Sequence, residues 1–244
     1  REFGLLVLFQ SATMTLANLM SFSTQQPVIK LGSSALAGGD LAQLGRIIGL
    51  GLLLDTFAAV VAASAAFAIL ALMSDWVGLS EAHRGVAALF AASLLFTGYL
   101  TSNGIFRLLD WFGLLSLIQA GCAAVMLAAT FYLYLTDAPF ESYCWTWASF
   151  YALNAQAPLL VAIILARRAG IPIGFAAGTI PRADVSTFLA YCWTTWGSAT
   201  VEGIRSTVDS LLVGALVSVE AAGIYNVAKQ LAGVLRKFNT VYAS

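Results

Sequence analysis

Seven runs of mostly apolar residues follow one another along the chain, each close to the ~20 residues a helix needs to cross a bilayer. They are approximately Gly4–Phe22, Ile48–Met73, Gly85–Ser102, Trp111–Leu135, Cys144–Ala166, Val185–Val217 and Ala222–Ala243. The pattern predicts an all-α polytopic transmembrane bundle. Two of the runs are unusually polar. The first carries Gln10, Ser11, Thr13, Thr15, Asn18 and Ser21, and the last carries Asn226, Lys229, Gln230, Arg236, Lys237 and Asn239. Helices that line a watery cavity look like this.

The sixth run holds Arg205, with Glu202 one helical turn before it and Asp209 one turn after. A charge at the centre of a bilayer costs about 2.5–3.5 kcal/mol on insertion scales. Spacings of three and four residues put the three side chains on one stripe, where they partly neutralise one another. Such a cluster is expected to face a polar cavity or a partner helix, which makes a transport pathway the first functional hypothesis. A salt-bridge network that merely fixes the helix in register is the plainer reading.

Composition narrows the class. The chain is 60% hydrophobic and 10% charged, against about 25% charged for a soluble domain. Net charge is zero, so no bulk field favours nucleic acid. Cys122, Cys144 and Cys192 form no CxxC or Cys/His pattern, and His83 has no evident metal partner. Buried inert thiols, with no metal or other cofactor, are expected. Gly38-Gly39 lacks the GxxxxGK[ST] pattern of a phosphate loop. The chain opens Arg1-Glu2-Phe3 with no initiator Met or signal peptide and stops in the helix-like stretch Leu231–Ser244. It is therefore expected to be a fragment of a larger protein.

Charges in the connections predict the orientation. Alternate connections hold Lys30, Arg46, Arg107, Arg167, Arg168 and Arg182 on one side. The other side holds Asp75, Glu81, His83, Arg84, Asp137, Glu141 and Glu220. By the positive-inside rule, Gln26–Gly45, Asn103–Asp110 and Arg167–Asp184 are expected to be cytoplasmic loops of a bacterial inner-membrane protein. Trp76, Tyr132, Tyr134, Tyr143 and Trp145 gather near the opposite boundary, as an aromatic belt does. Asp40 is placed to cap the helix that follows it.

The first and last runs align without gaps: Glu2-Phe3-Gly4-Leu5-Leu6-Val7 lies opposite Ala221-Ala222-Gly223-Ile224-Tyr225-Asn226. In the same register Gln10 matches Lys229, Ser11 matches Gln230 and Asn18 matches Lys237. Both would cross in the same direction, the signature of a parallel internal repeat with a site near the interface of its halves. The expected division is an N-terminal lobe over residues 1–170, its first span missing, and the start of a truncated C-terminal lobe over 183–244. The Gly- and Pro-rich stretch Arg167–Asp184 separates them.

Several stretches resemble bacterial polysaccharide (O-antigen) flippases of the multidrug/oligosaccharidyl-lipid/polysaccharide exporter superfamily. They are Glu2-Phe3-Gly4-Leu-Leu, Gln26-Pro27-Val-Ile-Lys30, Leu53-Leu54-Asp55, Val208-Asp209-Ser-Leu-Leu-Val-Gly214 and Glu220-Ala-Ala-Gly223-Ile-Tyr225-Asn-Val-Ala228. The resemblance covers nearly the whole chain and rests on order and spacing. It implies two bundles around a central cavity that moves polyprenyl-diphosphate-linked oligosaccharide to the outer leaflet. The spans would then be the second to eighth of twelve to fourteen. It places Gln10, Asn18, Glu202, Arg205, Asp209, Asn226, Lys229 and Arg236 in or near the cavity, and makes polysaccharide polymerase machinery a candidate partner. Glu202 and Asp209 depart from the cationic character such a cavity would have.

The chemistry suits a diphosphate. An arginine fork stays charged and takes phosphate oxygens two at a time. Lys229 and Arg236, seven residues apart, share a helix face with Asn226 near it, although Arg236 and Lys237 could simply snorkel to the cytoplasmic surface. Asp55 and Asp209 are the candidates for coupling transport to protons or cations; for Asp55 a bond to a neighbouring helix is the plainer alternative. Asn154, Gln156 and Pro158 read as an interhelical bonding patch, and Gly45, Gly49 and Gly51 as close-packing sites. Alternating access with no covalent step is the expected function. An organic-cation antiporter of the same superfamily would use Glu202 and Asp209 better. A membrane-embedded glycosyltransferase or ligase would need larger outer loops than Ser74–Arg84 and Thr136–Tyr143.

Overall fold

The computed structural model describes residues 2–73, 81–97, 100–173 and 182–242; the side chains at 73, 81–82, 182–183, 199, 202–207 and 234–242 also lie outside the description. All regular structure among these residues is helical: α1 (Glu2–Met20), α2 (Gln25–Ala37), α3 (Leu41–Met73), α4 (Glu81–Ser93) with a 3-10 turn at Leu94–Phe96, α5 (Leu100–Leu108), α6 (Phe112–Leu135), α7 (Phe140–Arg168), α8 (Arg182–Leu216) and α9 (Val219–Tyr242).

Among the described residues, five stretches are long and apolar enough to cross a membrane: Glu2–Met20, Leu41–Leu72, His83–Leu108, Phe112–Leu135 and Phe140–Arg168. That is fewer than the seven expected, and α8 and α9 are the two that fall short. Both are long helices, but Arg, Lys, Asp, Glu and Asn dilute their apolar character. The expected loop at Gln26–Gly45 is corrected as well, because most of it is α2. Much of the expected loop at Asn103–Asp110 is the end of α5.

These corrections reveal two broken passes. Leu8 packs against Gly214, the Leu19 carbonyl meets Trp196, and the Lys30 ammonium sits 4.6 Å above the Tyr191 ring. Rising numbers on one side meet falling numbers on the other, so α1 and α2 form a single pass antiparallel to α8, interrupted at Ser21–Thr24. Ser23 takes a left-handed backbone there, with φ of 48°. The second broken pass runs through α4, its 3-10 turn and α5. Beside each other, α2 and α5 run parallel: Thr24 meets Thr101, Val28 meets Gly104, and Gly32 meets Leu108.

The main core lies among these elements, with Val28, Leu44, Ile48, Ile105, Phe106, Ala162 and Phe188 fully enclosed. A second cluster stacks Phe9, Phe90, Trp147 and Tyr151 in series across α1, α4 and α7. In contrast α6 is almost unburied, with Leu117, Leu127, Phe131 and Tyr134 facing outward, as a lipid-facing outer helix would be. Asp40 caps α3 as expected, its carboxylate accepting from the Gln43 N–H at 2.7 Å. Cys122, Cys144 and Cys192 are buried and unbridged.

The basic residues share one end. Gly32 lies against Leu44 and Leu108, and Gly45 against Pro172, which brings the end of α2, the start of α3 and the ends of α5 and α7 together. Lys30, Arg46, Arg107, Arg167 and Arg168 belong to that end. Glu2 and Glu141 meet near Cys144 at the opposite one, where Tyr132, Tyr134 and Trp145 stand exposed.

Gly51 allows a further close approach, that of α5 to α3. A Cβ there would collide with the Thr101 hydroxyl and press on Val28. Gly51→Val is expected to cost about 1–3 kcal/mol by overpacking, read as a lower unfolding temperature in detergent. Gly113→Ala, which meets open space, should leave that temperature unchanged.

Candidate functional site: a buried carboxylate and an exposed ion pair

Asp55 lies about 21 Å along the axis of α3 from Leu41 and about 27 Å from Met73, near mid-height. It is 2% exposed. Such a carboxylate is tolerable only when its oxygens are satisfied. Its Oδ1 accepts from the Thr24 hydroxyl at 2.6 Å and its Oδ2 from the Thr101 N–H at 2.9 Å; the Thr101 hydroxyl donates on to the Thr24 oxygen at 3.1 Å. Thr24 stands at the start of α2 and Thr101 in the first turn of α5. One carboxyl group therefore sits between the positive ends of two half-helices, which favour its ionised form.

One carbonyl at each break is met by a side chain from a distant helix. The Trp196 indole of α8 donates to the Leu19 carbonyl at 3.0 Å, and the Gln156 carboxamide of α7 donates to the Phe96 carbonyl at 2.9 Å. Ser93 and Thr97 hydroxyls take the Phe90 and Leu94 carbonyls. This accounting is what irregular backbone at membrane depth requires. Beside the first break, a recess of about 470 Å3 is lined by Ser23, Gln25, Gln26, Leu100, Thr195 and Ser198.

The second constellation joins α8 to α9. Lys229 Nζ meets Asp209 Oδ1 at 2.6 Å and Oδ2 at 2.8 Å, and the Tyr225 hydroxyl donates to Oδ2 at 2.8 Å. The two charged side chains keep 32% and 35% of their surface exposed. Pairs this open are worth about 0.2–1 kcal/mol, so a competing ligand can part them.

The expected site residues divide as follows. Asp209 and Lys229 are brought together. Gln10 and Asn18 are half-buried on α1 and Asn226 half-buried on α9, none of them hydrogen-bonded through its side chain to a described residue. Glu202, Arg205 and Arg236 belong to α8 and α9, but their side chains lie outside the described residues. Asp55 is far more enclosed than its neighbours suggested. Thr24, Thr101 and Trp196 were missed as its supporting cast.

No family model matches the chain, and no solved structure does. It is 24% identical over 227 residues to the inner membrane protein YghQ of Escherichia coli K-12. That alignment takes in 93% of this chain and 64% of the relative's length. The likeness and the five apolar helices together make this a multi-pass inner-membrane protein.

Asp55→Leu removes both acceptors and leaves the Thr101 N–H unpaired, so a loss of about 3–5 kcal/mol is expected. Asp55→Asn keeps one acceptor for that N–H and should lose less. Thermal unfolding in detergent measures both.

Proposed function

We propose that this chain is part of a flippase that carries polyprenyl-diphosphate-linked oligosaccharide across the inner membrane by alternating access, without making or breaking a covalent bond. The observation that carries the reading is the Lys229–Asp209–Tyr225 group. It sits on two helices too polar for lipid, packed on α1, and holds a cation in a pair weak enough to open. A diphosphate would compete with Asp209 for the Lys229 ammonium, exchanging one charge-assisted bond for another.

Further support comes from the repeat. α8 runs antiparallel to α1 and also forms a hairpin with α9, so α1 and α9 run in the same direction. Gly4 and Gly223, opposite one another in the internal alignment, touch: a Cβ on Gly223 would lie 3.3 Å from the Gly4 Cα. Equivalent positions meeting at a two-fold axis are what two related halves would produce. The basic end then faces the cytoplasm.

The test uses the natural full-length protein in a bacterium that lacks its own flippase for a known surface polysaccharide. Wild type should restore surface glycan. Lys229→Ala at matched membrane abundance should lower it at least about tenfold, trapping precursor inside, while Lys229→Arg keeps most of it. Arg205→Ala separates a pathway role from an architectural one. If wild type fails with several unrelated glycans, the Asp209 carboxylate points to the organic-cation antiporter instead, and export of a cationic dye would then depend on Asp209.

A further inference from the structure

A second recess, about 170 Å3, lies in the N-terminal lobe, lined by Thr97, Ser102 and Asn103, by Gln119 of α6, and by Tyr151 and Asn154 of α7. It shares only Leu100 with the recess at the first break, and neither Asp209 nor Lys229 lines it. Four of its side chains carry unspent hydrogen-bonding capacity. Those of Asn103, Gln119, Tyr151 and Asn154 make no hydrogen bond to any described residue, although three of them are half-buried and only Gln119 is exposed. Pro158, also in the lining, has no N–H to give the Asn154 carbonyl four residues earlier. Polar groups so placed in a membrane protein are costly unless something pairs with them.

The character of the lining selects what that is. Three carboxamides and a phenol offer donors and acceptors side by side, and no charged residue belongs to the set. An anion would find no cation, a cation no carboxylate, and an apolar group would leave the amides unpaired. A neutral polyhydroxylated ring meets the pattern, since each hydroxyl both donates and accepts. The volume is of the order of one sugar ring, or about six waters at ~30 Å3 each.

We propose that this recess is a binding site for a neutral sugar ring, separate from the Lys229 group. The source of the sugar in the cell rests on the flippase reading, but the site itself does not.

The experiment is saturation-transfer NMR on the natural full-length protein in nanodiscs, with methyl glucoside, methyl galactoside and methyl N-acetylglucosaminide as probes, and glucose 6-phosphate and choline as charged comparisons. At least one neutral glycoside should bind in the millimolar range and neither charged probe should compete. Asn154→Leu and Asn103→Leu should each weaken binding at least tenfold without lowering the unfolding temperature, because they remove unpaired polar groups. Lys229→Ala should leave binding unchanged. Absence of binding by every glycoside, or binding as strong as wild type by both Leu variants, would overturn the proposal and leave the recess to water. Glycoside binding without glycan export would sink the flippase reading alone.

Discussion

A single buried carboxyl group holds two interrupted helices to a third. Without Asp55 the Thr101 N–H and the Thr24 hydroxyl would compete for nothing, and α2 and α5 would have no polar reason to start at the same height. The arrangement is economical in physical terms, because the charge that burial would penalise is the one the two positive helix ends favour. Gly51, one turn before Asp55, removes the side chain that would keep α5 away. Packing and electrostatics thus converge on one point of α3, and α2 and α5 behave as a parallel pair fastened there.

The other charged group follows the opposite logic. Asp209 and Lys229 are neither enclosed nor needed to close a break, and water reaches both. Burial fixes Asp55 in its bonds; exposure leaves Lys229 able to change partners. The molecule therefore separates a carboxylate that positions backbone from one that guards a cation, though both occur in helices of similar length.

The helical class, the segregation of charge and most span boundaries could be read from the sequence, since each depends on composition over twenty residues. The breaks could not. At Ser21-Phe-Ser-Thr24 no proline or glycine marks an interruption, and the small residues Gly32, Ser33, Ser34 and Ala35 read as a loop. In the structure Gly32 lets α2 lie close to Leu44 and Leu108, while Ser33 and Ser34 stay exposed. Partners from distant parts of the chain, Trp196 for Leu19 and Gln156 for Phe96, decide where a helix can stop. Local propensity carries no record of them. Asp209 could be singled out from its neighbours, but its pairing with Lys229 depends on the α8–α9 hairpin and not on the stripe it shares with Glu202 and Arg205.

The indole of Trp196 gives α8 a grip on the last turn of α1, at the very place where that pass is interrupted. An intact helix would resist a pull there along its whole length. A jointed one can bend at Ser21–Thr24, where α1, held to α8 by Trp196, gives way to α2, held to α3 through Thr24 and Asp55.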